Sequence, residues 1–127
     1  KSPTLITGKL LKDTHREIII EALNSVVQEP RGTAHKLSIS NPNFVKIGGK
    51  TGTSQVVRIE ESEREDDKYK SKEIEERFKD HSVFVGYAPY KKPKYIASVI
   101  IENGGSGSAV AASIAHKILD FAFKNNV

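Results

Sequence analysis

Ser82-Val83-Phe84-Val85-Gly86-Tyr87-Ala88 is followed by Pro89-Tyr90-Lys91-Lys92-Pro93 and then by Lys94-Tyr95-Ile96-Ala97-Ser98-Val99-Ile100-Ile101-Glu102. Both outer runs are rich in valine, isoleucine and aromatic residues, the composition of β-strands. The prolines between them cannot donate to a ladder, so the connection predicts a hairpin turn. Strands joined in this way run antiparallel. The pair decides the fold, because a small antiparallel sheet must cover its apolar face with another element.

Downstream, Asn103 to Ser108 breaks the chain, and Gly104–Ser108 reads as a tight strand-to-helix turn. A helix is predicted from about Ser108 to Lys124, with Val110, Ala111, Ile114, Ala115, Ile118, Phe121 and Ala122 on one apolar face. It is the natural cover for the sheet. Upstream, Thr14 to about Gln28 has helical periodicity, with Ile19, Leu23 and Val26, joined by Ala22 and Val27, as its stripe. Thr14 and Glu17 have the spacing of a capping box. Glu29-Pro30-Arg31-Gly32 ends the helix, since proline disfavours helix in its predecessor and glycine tolerates positive φ. Thr4 to Leu11 is a mixed lead-in, and Thr33 to Asn43 reads as irregular. Phe44 to Ile59 reads as extended but interrupted at Gly48–Thr53. The expected class is α+β: a three-stranded antiparallel sheet (about 44–59, 82–88 and 94–102) covered by helices (about 14–28 and 108–124).

A chain of 127 residues holds one domain, and 37% hydrophobic with 28% charged residues is a globular balance. Cysteine is absent, which excludes disulfides, thiolate metal sites and a cysteine nucleophile. No apolar run approaches the ~18 residues of a membrane helix, and no signal-peptide pattern opens the chain. The chain starts at Lys1 and contains no methionine, so it reads as an internal or processed piece of a longer polypeptide. Its net charge of +4 conceals a segregation. Between Ile59 and Asp80 stand ten acids and six bases, a net of −4, leaving +8 on the rest. This 59–80 insertion is expected to be a mobile, solvated segment, with room for a short helix around Ile74 and Phe78. His15, His35, His81 and His116 have no metal-ligand spacing and read as surface or half-buried residues. No metal or other cofactor is implied.

The chemistry concentrates in Gly48-Gly49-Lys50-Thr51-Gly52-Thr53-Ser54-Gln55. Glycine inside a strand costs about 0.5–1 kcal/mol against alanine, and it often marks a close approach of backbone or ligand. Alternation puts Lys50 and Gly52 on one face and Thr51 and Thr53 on the other. An edge strand so built offers a cation, hydroxyls and free amides to an anion. A phosphate-binding P-loop is excluded, because its first glycine would have to stand at Phe44 and an extended segment follows instead of a helix.

K-T-G is one of three signature motifs of β-lactamases and penicillin-binding proteins. Here it stands as Lys50-Thr51-Gly52-Thr53, preceded by Gly32-Thr33-Ala34-His35 and followed by Asp80-His81, Gly86-Tyr87-Ala88-Pro89-Tyr90 and Ile101-Glu102-Asn103-Gly104-Gly105. The ordered set resembles the carboxy-terminal part of the transpeptidase domain of class B penicillin-binding proteins, most closely the elongation type, penicillin-binding protein 2. The resemblance spans essentially the whole chain. It implies a partial β-lactamase/transpeptidase-like fold and a parent enzyme that cross-links peptidoglycan as a serine D-Ala-D-Ala transpeptidase and binds penicillin. It implies that Lys50 takes part in catalysis and that Thr51, Gly52, Thr53, Ser54 and Gln55 line the substrate and β-lactam site. The Thr53 amide would be half of the oxyanion hole. It further implies a periplasmic domain anchored in the bacterial inner membrane, with the elongation machinery, including a SEDS-type glycan polymerase, as partner.

Two family motifs are absent: no serine here has lysine three positions later, and no S-x-N occurs. The expectation is therefore a piece that cannot acylate by itself. The family sheet has five strands and continues beyond strand 94–102, so this edge is expected to self-associate. A non-catalytic basic module for a polyanion or for peptidoglycan is the alternative. Scattered bases without interleaved aromatics argue against nucleic acid.

Overall fold

The structure is a computed structural model and describes residues 12–55, 79–106 and 108–127. Helix α1 (Asp13–Gln28) and the short α2 (Lys36–Ser40) precede strand β1 (Gly48–Ser54). Strands β2 (His81–Ala88) and β3 (Tyr95–Ile101) and helix α3 (Ala111–Asn125) complete the order. The sheet runs β1-β2-β3 and is antiparallel throughout, with Lys50 opposite Val85 and Val85 opposite Ser98. The α+β class and the hairpin stand as expected.

Alternation explains the core. Ser82, Phe84, Gly86 and Ala88 are buried on one face of β2, and Tyr95, Ala97, Val99 and Ile101 of β3 pack beside them. Helix α3 closes this face with Ala111, Ala112, Ala115 and Leu119. The Phe84 ring fills the hollow over Gly49 and Gly86, where an added Cβ would come within 2.5 and 2.6 Å of it. Ser82 ties helix to sheet, its hydroxyl accepting from the Ala111 amide at 3.1 Å and donating to the Ser106 carbonyl at 3.0 Å. Among the described residues the opposite face is covered only at one corner. There α1 crosses Gly48, and the Tyr87 hydroxyl donates to Asn24 Oδ1 at 2.8 Å. Burial raises the Tyr87 phenol above its ordinary value. Val85, Ile96 (76% exposed) and Ile100 (65%) lie bare on the rest of that face.

Several local expectations need correction. The predicted first strand, 44–59, begins later: the expected interruption at Gly48–Thr53 lies within β1 (Gly48–Ser54), while residues 44–47 stand outside the ladder. Residues 56–59 and the charged segment up to 78, with its suggested helix, lie outside the described residues, as does Thr4–Leu11. The region 33–43 contains α2 rather than only irregular chain. Thr14 does not cap α1: Lys12 occupies the cap position and makes no side-chain cap bond, so the helix starts one residue earlier than expected. Of the α1 stripe only Val27 is fully buried, and Ile19 is exposed, because the helix touches the sheet near its C-terminal half.

The buried face of α3 is rotated from the expected one. Ile114, Ile118 and Phe121 are exposed, whereas His116 and Asp120 are buried. Small alanines allow close approach to the sheet, and the two polar residues turn inward to serve backbone groups described below. In the described part of the Gly104–Ser108 segment, Gly105 has φ +74°, and its amide donates to the Asp80 carbonyl at 2.7 Å. Among the described residues no helix is long and apolar enough to cross a membrane.

If Phe84 is the keystone of this face, Phe84→Ala will lower stability by about 3–5 kcal/mol, the range for aromatic truncation in a packed core. Urea unfolding followed by circular dichroism measures it, and a loss below about 1 kcal/mol would move the core elsewhere.

Candidate active site on the first strand

Strand β1 is an edge of the described sheet, with β2 on one side only. Its register puts Lys50 opposite Val85, on the open face, and Thr51 opposite Phe84, on the face covered by α3. Lys50 is exposed, and its Nζ donates to the Thr51 carbonyl at 2.7 Å. The Thr51 hydroxyl is hydrogen-bonded to that of Thr33 at 2.9 Å. At Gly52 an added Cβ would stand 3.3 Å from Val83 Cβ, so bare backbone lies at the strand's centre. Thr53 and Ser54 are exposed at the far end, opposite Ser82 and His81, and Gln55 follows outside the strand. The six residues singled out in the sequence thus follow one another along the edge strand and just past it, Lys50, Thr53, Ser54 and Gln55 exposed and Thr51 and Gly52 half-buried.

Thr33 was read only as part of a flanking motif, yet it touches the strand. It is delivered by the sharp turn after α1, where Gly32 packs so closely that a Cβ would meet the Val26 carbonyl oxygen at 2.3 Å. The Ala34 amide donates to that same carbonyl at 2.9 Å. His116 reads from sequence only as a surface or half-buried residue, and Asp120 is not singled out at all. The Val45 amide donates to Asp120 Oδ1 at 2.8 Å, and His116 Nε2 lies 2.9 Å from the Val45 carbonyl oxygen. A carbonyl only accepts, so Nε2 carries a proton, and in the neutral imidazole that burial favours Nδ1 holds the lone pair. Lys124 Nζ reaches Asp120 Oδ2 at 2.8 Å and lies over the Phe44 ring, which meets His116 edge-on with centroids 5.1 Å apart. The available signal was the polar file His116, Asp120, Lys124 at a spacing of four on a helix otherwise rich in apolar residues.

Burial lowers the His116 pKa below 6.5, and the bond to Val45 with the Asp120 charge only partly opposes it. Burial alone would raise the Asp120 carboxyl, but the Lys124 hydrogen bond, the Val45 amide and the charges of Lys124 and His116 together hold it below 3.8.

An antiparallel sheet backed by a C-terminal helix, with K-T-G-T on its edge strand, is the architecture of the β-lactamase and transpeptidase fold. The chain matches the penicillin binding protein transpeptidase domain over residues 1–120, and it belongs to that family. It is 38% identical over 97 residues to the peptidoglycan D,D-transpeptidase MrdA of Haemophilus influenzae, covering 76% of this chain and 14% of that protein. MrdA of Escherichia coli K12 is 38% identical over 104 residues, 82% of this chain and 15% of the relative. The chain therefore spans about one-seventh of the length of the curated relatives it matches. Among solved structures, Pseudomonas aeruginosa PBP2 in complex with WCK 5153 superposes with a TM-score of 0.69 at 30% identity, covering 95% of this chain and 22% of that one.

The lowered His116 pKa fixes a pH effect. The unfolded imidazole binds its proton near 6.5 and the folded one only at lower pH, so acid favours unfolding. This contribution is complete above that value and is lost as pH falls from there through the folded pKa. The Asp120 contribution is present above 3.8 and is lost as pH falls through its own lowered value. The urea midpoint is expected to drop between about pH 7.5 and pH 5, and His116→Gln is expected to flatten that drop. An unchanged slope in the variant would contradict the assignment.

Proposed function

We propose that this chain supplies the substrate-binding strand of a peptidoglycan D,D-transpeptidase of the elongation type. The observation that carries the reading is Lys50-Thr51-Gly52-Thr53 on an exposed edge strand in a member of the transpeptidase family. In this reading a serine outside the chain attacks the carbonyl of a D-Ala-D-Ala stem. The peptide bond to the terminal D-alanine breaks, and the serine proton passes to the leaving amine. The amine of a neighbouring stem then takes the acyl group and gives up its proton. β-Lactams enter the first step and remain attached.

Lys50 supplies positive charge beside the nucleophile, favouring ionised oxygen and proton movement toward the leaving group. The Thr51 and Thr53 hydroxyls receive the substrate carboxylate, with Thr33 orienting Thr51. The Thr53 amide donates to the oxyanion, where one such donor contributes roughly 2.7–4 kcal/mol of transition-state stabilisation. Gly52 lets the acyl chain lie against backbone, and Ser54 and Gln55 flank it. The face that bears Lys50 also exposes Val85, Ile96 and Ile100, so an apolar cover is expected there. We assign that cover to the serine-bearing portion of the enzyme.

The same reading places the enzyme in the periplasm, held at the inner membrane, working with a SEDS-type glycan polymerase. A PBP2 of Helicobacter pylori has been solved in complex with MreC, with a TM-score of 0.67 at 22% identity, over 91% of this chain and 19% of that one. Its likeness here is one of fold. The chain alone, lacking S-x-x-K and S-x-N, is inactive. Fluorescent penicillin is expected to label the intact transpeptidase on a denaturing gel, to label its Lys50→Ala variant far more slowly, and to leave this chain unmarked. A covalent band on the chain, or full labelling of the variant, would overturn the reading.

The isolated chain is proposed to self-associate through strand 94–102, whose β3 core is the other edge of the described sheet. Antiparallel pairing centred on Ser98 sets Ile96 against Ile100 of the partner subunit and Lys94 against Glu102 of the partner subunit. This register matches apolar with apolar and opposite charges with each other. Sedimentation velocity is expected to give a dimer that Ser98→Pro dissociates, since proline removes a ladder donor. A monomer at high concentration would contradict it.

A further inference from the structure

Strand β1 is poor in the features that lock a register. Gly48, Gly49 and Gly52 stand opposite Tyr87, Gly86 and Val83, so three of its seven cross-strand pairs lack a side chain on the β1 side. Glycine-rich strands slip easily, and a shift of one residue would exchange the faces of Lys50 and Thr51. Residues 44–47, just before the strand, are held by partners outside the ladder. Asp120 and His116 take both backbone groups of Val45, Tyr90 donates its amide to the Lys46 carbonyl at 2.9 Å, and Gln28 Nε2 donates to the Ile47 carbonyl at 2.7 Å. The Asp120 and His116 side chains are only 6% and 3% exposed, and they reach a half-buried Val45 through part-buried bonds. The Lys124 ion pair fixes the carboxylate, and the Phe44 ring stacks edge-on against the imidazole.

We propose that His116 and Asp120 are positioning residues: by gripping Val45 at both backbone groups, helix α3 sets the register of β1 and thereby the place at which Lys50 and Thr53 meet the substrate. Two neighbouring bonds on one residue fix both its distance from the helix and its rotation, which a single bond does not. Val45 lies three residues before β1 begins and five before Lys50, so the restraint acts on a short stretch leading straight into the strand. The imidazole acts in its neutral form, with Nδ1 lacking a hydrogen-bond partner among the described residues. His116 also lines a cavity of about 40 Å³ with Val27, Gln28, Asn41 and Phe44, large enough for one water molecule to donate to that nitrogen. The charged groups around the imidazole are Asp120 and Lys124 on its own helix and Lys46 on the cavity wall.

The catalytic consequence rests on the proposed role of β1, whereas the register itself does not, and the experiment separates them. In the isotopically labelled chain, cross-strand nuclear Overhauser effects are measured between Lys50 and Val85 and between Gly52 and Val83, with Val83–Ile100 and Val85–Ser98 as the internal control. Asp120→Ala is expected to weaken the β1–β2 set and leave the β2–β3 set intact, and Asp120→Asn, which keeps an acceptor for the Val45 amide, to restore it. His116→Gln, whose side-chain amide can donate to Val45, is expected to preserve the contacts that His116→Leu weakens. Unchanged β1–β2 contacts in Asp120→Ala, or loss of both sets together, would overturn the proposal. In the intact transpeptidase, Asp120→Ala is expected to slow penicillin acylation about tenfold to a hundredfold, as for a small displacement of a catalytic group. Lost β1–β2 contacts with unaltered acylation would overturn the catalytic consequence and the substrate-strand reading together.

Discussion

The backbone of residues 45–47 must be hydrogen-bonded somewhere, and it lies just outside the ladder that serves β1. Amides and carbonyls drawn partly out of water are costly without partners, so side chains and one amide from other elements meet them here. Asp120 and His116 come from α3, Gln28 from α1, and the Tyr90 amide from the β2–β3 turn. That single requirement draws both flanking helices to the same short stretch of chain. It also explains why α3 turns two polar residues inward and leaves Ile114, Ile118 and Phe121 outside.

The sheet is consequently unequal on its two sides. One face is closed by Phe84 over two glycines and by the alanines of α3, a close packing that tolerates little change in volume. The other carries Lys50 beside Val85, Ile96 and Ile100 and is covered by α1 only at the Gly48–Tyr87 corner. Rigidity on the closed side is what a binding strand needs when its cation projects to the open face and its two threonines to the other, because such groups act together only at fixed separations. The bare apolar side chains and the Lys50 cation share a face, the arrangement the proposed cleft calls for.

Much of this was legible in the residues. The hairpin at 81–101 was readable from its β-branched runs and proline-bounded turn, and the closing helix from its apolar content. K-T-G-T stood out because glycine and lysine are poor choices for ordinary strand packing. Less legible was what depends on distant partners. The sequence pattern assigned Ile114 and Phe121 to the core and His116 to a surface or half-buried position, since periodicity sorts side chains by polarity and is blind to backbone groups in need of a partner. For the same reason Thr14 was read as a cap, although the helix begins at Asp13, and Gly48–Thr53 was read as an interruption, although β2 supplies the ladder that holds it extended. The Thr33–Thr51 contact joins residues eighteen apart across a turn that local propensity does not describe.

The central claim is that this edge strand forms one wall of a serine acyltransferase cleft. A crystal structure of the intact transpeptidase acylated by benzylpenicillin tests it most directly. The account predicts the antibiotic lying along residues 50–53, its carboxylate within hydrogen-bonding distance of the Thr51 or Thr53 hydroxyl and its carbonyl oxygen on the Thr53 amide. An acyl group bound on the serine with its carboxylate held by another part of the molecule and β1 out of contact would contradict it.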